Sequence, residues 1–158
     1  MDHGLSSGYD QLLRDLKERI RHAQVRAALA VNRELVALYW QIGQEILLQQ
    51  RQKGWGAKVI EKLAKDLKKE FPDMSGFSRS NLLSMRAFAE AYPDPQIVQQ
   101  LVGQFPWGHN VRILEQVKDP VERLWYVQQT IENGWSRNVL VHQIESGLSV
   151  IIVAITFP

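Results

Sequence analysis

Apolar residues recur at steps of three and four along the first third of the chain, at Leu13, Leu16, Ile20, Ala23 and Ala27, then Val31, Leu35, Leu38, Ile42 and Ile46. Between Gly8 and Gly54 there is no proline and one glycine, Gly43. This pattern predicts one long amphipathic helix, or two nearly in line. The spacing is close enough to a heptad to pair with another helix, so this face is a candidate homodimer interface. The alternative is that it packs on the rest of its own domain.

Gly54-Trp55-Gly56 breaks the pattern. A second helix is expected from Ala57 to Glu70, with Val59, Ile60, Leu63, Leu67 and Phe71 as its buried face. Pro72 to Gly76 reads as a turn, and Ser78 as the N-cap of a third helix, Arg79 to Ala91. Asp94-Pro95 opens a short helix to about Val102, and Phe105 to His109 interrupts before a helix near Asn110 to Val117. Asp119-Pro120 starts a helix that runs to Asn133-Gly134, and Ser136 caps a last one ending near Glu145. No strand signal precedes Leu148. The expected class is all-α, a multi-helix single domain over residues 10–147 with a helix–turn–helix-like unit. Residues 148–158 form an uncharged, β-branched tail, an aggregation hazard if left unpaired.

At 158 residues and 45% hydrophobic, the chain suits one well-buried core. With no cysteine, a disulfide framework, a thiolate zinc site and a cysteine nucleophile are excluded together. The start lacks the apolar core of a signal peptide, and no apolar run would span a bilayer. The expectation is a cytoplasmic protein with no membrane partner.

Charge changes the picture more. Between Arg51 and Arg86 nine Lys or Arg stand against four Asp or Glu, while the whole chain carries only +2. Lys58, Lys62, Lys65 and Lys69 fall at helical spacing on one face of the second helix. Such a concentration of positive charge suits a polyanion, which makes nucleic acid the leading partner: DNA, with RNA as the alternative. The lysines would hold phosphates. Arg79, Ser80, Asn81 and Arg86 would face outward from the third helix, with Arg and Asn the residue types that read guanine and adenine. Trp55 is a candidate for base stacking. The competing reading is an ordinary solvated face.

His3, in a start expected to be disordered, and His22, His109 and His142 lack the paired spacing of a metal site. Trp40, Trp107, Trp125 and Trp135 are expected in the core. The chain has no Gly-rich phosphate loop, no nucleophile elbow, and no Asp-x-Lys or Glu-x-Lys triplet after Pro72-Asp73 or Pro93-Asp94. No catalytic constellation, cofactor or metal is expected.

Several blocks resemble a known family. Val31 to Gly43, Gly54-Trp55-Gly56, Phe71-Pro72 with Gly76-Phe77-Ser78 and Asn81-Leu82, Trp107-Gly108-His109-Asn110, Arg123 with Trp125-Tyr126, and Trp135-Ser136-Arg137 are similar in order to the YhcG-type N-terminal domain. The resemblance covers about residues 10 to 148. It implies a helical, DNA-binding module that in the family precedes a PD-(D/E)xK nuclease domain. The nuclease residues have no counterpart here, since the sequence departs from the family pattern after Leu148.

Overall fold

The computed structural model describes residues 3–147, with side chains from residue 8 onward. The apolar segment 148–158 lies outside the described residues. Among those described there are seven α-helices and no strand. They are α1 (His3–Lys53), α2 (Ala57–Glu70), α3 (Arg79–Ala91), α4 (Pro95–Gln100), α5 (Trp107–Gln116), α6 (Pro120–Asn133) and α7 (Arg137–Glu145). A single 3-10 turn, Val102–Gln104, follows α4.

The helix starts follow from short polar side chains. Ser78 Oγ accepts from the Asn81 amide and Ser136 Oγ from Val139. Asp94 and Asp119 accept from the amides of Gln96 and Val121, each with proline at the first helical position. These contacts satisfy amides that have no intrahelical partner. Gly134, at φ 61°, closes α6 in the left-handed conformation that glycine adopts without strain.

Two boundaries differ from expectation. The backbone around His3, expected to be disordered, already belongs to α1. Helix α5 starts at Trp107 rather than near Asn110. Pro106 is extended and precedes the first turn, so its missing N–H costs nothing, and its carbonyl accepts from His109 and Asn110.

Helix α3 is the centre of the molecule. Its Leu82, Met85, Phe88 and Ala89 are buried, mostly against the second half of α1. The two helices approach so closely at Gly43 that a Cβ there would run into the Met85 carbonyl. One core cluster gathers Tyr39 and Ile46 of α1, Ile60 and Ala64 of α2, and Phe77, Leu82 and Met85. The other gathers Val36, Phe88 and Tyr92 with Val102, Phe105, Ile113, Tyr126, Val127 and Leu140. Trp107 packs on both, edge-on to Tyr39 and Phe88 with ring centroids 4.9 and 5.2 Å away. Trp40, Trp125 and Trp135 pack against the second cluster, as expected of them.

The long apolar stripe of α1 is not buried along its whole length. Among the described residues its second half is the part that packs, through Val36, Tyr39, Gly43 and Ile46. From Gly8 to Val31 every side chain is exposed except the half-buried Leu13. Phe71 also departs from expectation. It caps α2 in an exposed position, its ring tilted against Phe77 at 6.1 Å.

Candidate nucleic-acid interface

Helix α2 buries Ile60 and Ala64, with Leu63 and Leu67 half-buried beside them. At about 100° per residue, Lys58, Lys62, Lys65 and Lys69 all lie within about 40° of the line diametrically opposite Ile60. All four are exposed. Glu61, Asp66 and Glu70 fall on the flanks of that ridge rather than on it. One of them, Asp66, pairs with Lys62 at 3.0 Å, with both side chains well exposed. A pair so placed is worth about 0–1 kcal/mol and is readily exchanged for another anion. Lys58, Lys65 and Lys69 make no ion pair among the described residues. The ridge rises about 16 Å from Lys58 to Lys69, at 1.5 Å per residue.

The expected recognition helix is a core helix instead. A recognition helix needs a broad exposed face, but α3 leaves only Arg79, Ser80, Ala87 and Glu90 fully exposed. The link from α2, residues 71–78, is longer than the three- or four-residue turn of a simple helix–turn–helix. Arg79 is solvent-facing and Arg86 half-buried, and neither makes an ion pair among the described residues.

Asn81 corrects the expectation of an outward, base-reading amide. Its Nδ2 donates to the Gly76 carbonyl at 2.6 Å, and its Oδ1 accepts from Trp107 Nε1 at 2.8 Å. Both ends are therefore engaged inside the fold, where they tie the 71–78 link to α5. Because α2 meets α3 with the side opposite its lysines, the ridge points away from α3. The four lysines form one face, and Arg79 and Arg86 belong to another. Trp55 stands half-buried at the corner between α1 and α2, without ring contact or hydrogen bond among the described residues.

The remaining distinctive residues hold the scaffold. His109 Nε2–H donates to the Trp135 carbonyl at 2.9 Å, and its ring stands edge-on to Phe105. Buried Asn110 donates to the Val102 carbonyl at 3.0 Å, and Asn32 reaches the carbonyls of Gly103 and Phe105. Trp40 Nε1 donates to the Tyr92 carbonyl at 2.7 Å. Among the described residues no group of three His, Asp or Glu is placed to hold a metal ion. No helix among them is long and apolar enough to cross a membrane.

Sequence reasoning missed one polar groove, about 400 Å³, between α5 and α7. Arg112, Arg137 and His142 line it together with Glu145. Its two arginines are twenty-five residues apart in the chain, so no local run of charge announces it. Arg112 already pairs with Glu115 at 3.3 Å.

Fold and surface together define an all-helical domain with one solvent-facing basic ridge. Residues 15–149 match the DUF1016 N-terminal domain, and the chain belongs to that family, the YhcG-type N-terminal domains. No curated protein and no solved structure matches it.

Proposed function

We propose that this domain binds nucleic acid, duplex DNA first, through the phosphate backbone on the lysine ridge of α2. The observation that carries the reading is the placement of Lys58, Lys62, Lys65 and Lys69. They stand opposite the buried face, free of interposed acids, on a chain whose net charge is only +2. A ridge about 16 Å long spans roughly five base pairs at 3.4 Å each, enough for several phosphates. Point charges on flexible stems hold phosphates without reading sequence, so the binding is sequence-tolerant. Arg79, Arg86 and Trp55 lie off the ridge and supply secondary contacts to backbone or an unstacked base. Asn81 takes no part. The domain would thereby anchor a nuclease to DNA, the role its resemblance implies for it.

The test is fluorescence anisotropy with short DNA duplexes at about 50 and 200 mM salt, with duplex RNA as competitor. Four phosphate contacts predict a loss of roughly a hundredfold in affinity across that range. A variant with the four lysines changed to Glu should not bind. Salt-independent binding, or equal binding by that variant, would overturn the reading.

A further inference from the structure

The first half of α1 is an arm left exposed among the described residues, with Leu13 alone half-buried, yet it carries an apolar seam. Tyr9, Leu13, Leu16, Ile20, Ala23, Ala27 and Ala30 follow one another at steps of four, three, four, three, four and three. That strict 3.5-residue period belongs to a helix paired with another helix, whereas a helix lying on a globular surface drifts at 3.6. Tyr9 and Ile20 stand 60% and 56% exposed. The exposed apolar surface continues beyond the seam through Val31 and Leu38.

We infer that this arm pairs with the same arm of a second copy of the chain, in antiparallel orientation about a two-fold axis near Glu18. Two independent features choose this occupant and this direction. The first is size. The seam is large at its start (Tyr9, Leu13, Leu16, Ile20) and small at its end (Ala23, Ala27, Ala30). Antiparallel pairing sets Leu16 against the copy's Ile20 at the middle, and Leu13 against Ala23 and Tyr9 against Ala27 on either side, so the outer layers match large side chains with small ones. Parallel pairing would stack tyrosine on tyrosine and leave alanine layers loose.

The second feature is charge. Residues 9–18 carry Asp10, Asp15 and Glu18 against Arg14 and Lys17, whereas residues 19–33 carry Arg19, Arg21, Arg26 and Arg33 with no acid. Antiparallel arms lay the acidic half of one beside the basic half of the other. Parallel arms would set four arginines alongside their own copies. The cost of the antiparallel choice falls at the axis, where Lys17 and Arg19 meet their counterparts. This joint is independent of what the lysine ridge binds.

Sedimentation of the 158-residue chain should give twice its 18.2 kDa mass. Leu16→Glu with Ile20→Glu should return it to the single-chain mass. Both positions are exposed and outside the core clusters, so its far-UV spectrum and unfolding temperature should stay those of a folded domain. The absence of cysteine allows a clean test of direction. Leu13→Cys and Ala23→Cys chains, mixed and oxidised, should cross-link to each other. Leu13→Cys alone should not, because its two copies would lie about 15 Å apart, beyond disulfide reach. A single-chain mass at every concentration overturns the proposal, as does a dimer that survives the two glutamates. Efficient self-cross-linking of Leu13→Cys overturns the antiparallel arrangement.

Discussion

Replacing Gly43 by alanine pits a local rule against the packing of this fold. In the interior of an exposed helix, Gly→Ala gains about 1 kcal/mol, because alanine loses less backbone freedom on folding. At Gly43 the added Cβ meets the Met85 carbonyl oxygen, with the Met85 carbonyl carbon at 2.7 Å and Ala89 Cβ at 2.8 Å. Two of these three atoms are backbone and cannot rotate aside, so α1 and α3 must separate. That separation loosens the contacts of Tyr39, Ile46, Leu82 and Met85 together. Overpacking of this kind costs about 1–3 kcal/mol, and the rigidity of the obstacle puts Gly43 at the upper end. After the helix gain is subtracted, the net loss is about 2 kcal/mol, or roughly a 6 °C fall in Tm for a chain of this size. Urea unfolding followed by circular dichroism measures it, with the midpoint falling and the slope unchanged. Gly8→Ala is the control in the same helix, with nothing within 4 Å of the new methyl, and should be neutral or slightly stabilising. A Gly43→Ala chain as stable as its parent would refute the close α1–α3 approach on which the core rests.

Two further outcomes follow from buried polar groups. Tyr92 is buried and its hydroxyl has no hydrogen-bond partner among the described residues; burial pushes its pKa from 10.0 to about 12, against a smaller opposing pull from Arg123. The folded chain thus holds this proton more tightly than the unfolded one. Its contribution is fully present below pH 10 and is lost as the pH rises towards 12, by up to about 3 kcal/mol. Tyr92→Phe should flatten that alkaline fall in urea midpoint without loss of stability at pH 7, and an unchanged fall would refute the assignment. Asn81→Ala should cost about 1–3 kcal/mol, because it leaves the Gly76 carbonyl and Trp107 Nε1 unpaired. The same variant should keep the parent's affinity for DNA under conditions where it is folded. A folded variant that no longer binds would restore Asn81 to the interface.

Elements with local signals were legible from sequence, and those decided by distant neighbours were not. Ser78, Asp94, Asp119 and Ser136 each mark a helix start within four residues of themselves, and α2, α3, α6 and α7 begin and end where the pattern places them. The lysine ridge was legible for the same reason, since the helical period alone fixes which residues share a face. Asn81 was misread because its partners include Trp107, twenty-six residues away, and its chemical type suits a base edge as well as an indole N–H. The exposed half of α1 was half legible: periodicity revealed the seam, while how far α1 packs among the described residues depends on how far α3, α4 and the Val102–Gln104 turn reach along it. The groove between α5 and α7 left no sequence trace because it is assembled from two helices.

The family's signature residues turn out to build the scaffold. Gly43 admits α3, and a Cβ at Gly76 would collide with the Tyr39 hydroxyl. Asn81 ties the 71–78 link to Trp107, His109 ties α5 to the chain before α7, and Trp40 ties α1 to the end of α3. Such residues identify a fold without marking a site, because their side chains are turned towards one another. The two faces proposed above for binding, the solvent side of α2 and the exposed half of α1, lie largely outside these scaffold residues. The two faces are chemically unlike, one cationic and one an apolar seam, and they answer to different perturbations. Charge reversal on α2 should abolish salt-sensitive binding and leave the mass of the assembly unchanged. Glutamate in the α1 seam should do the opposite to the mass. Binding per chain should survive it, weakened only by the avidity that a second linked site supplies. If both changes moved both readouts together, ridge and arm would belong to one interface, and the separation argued from their placement would fail.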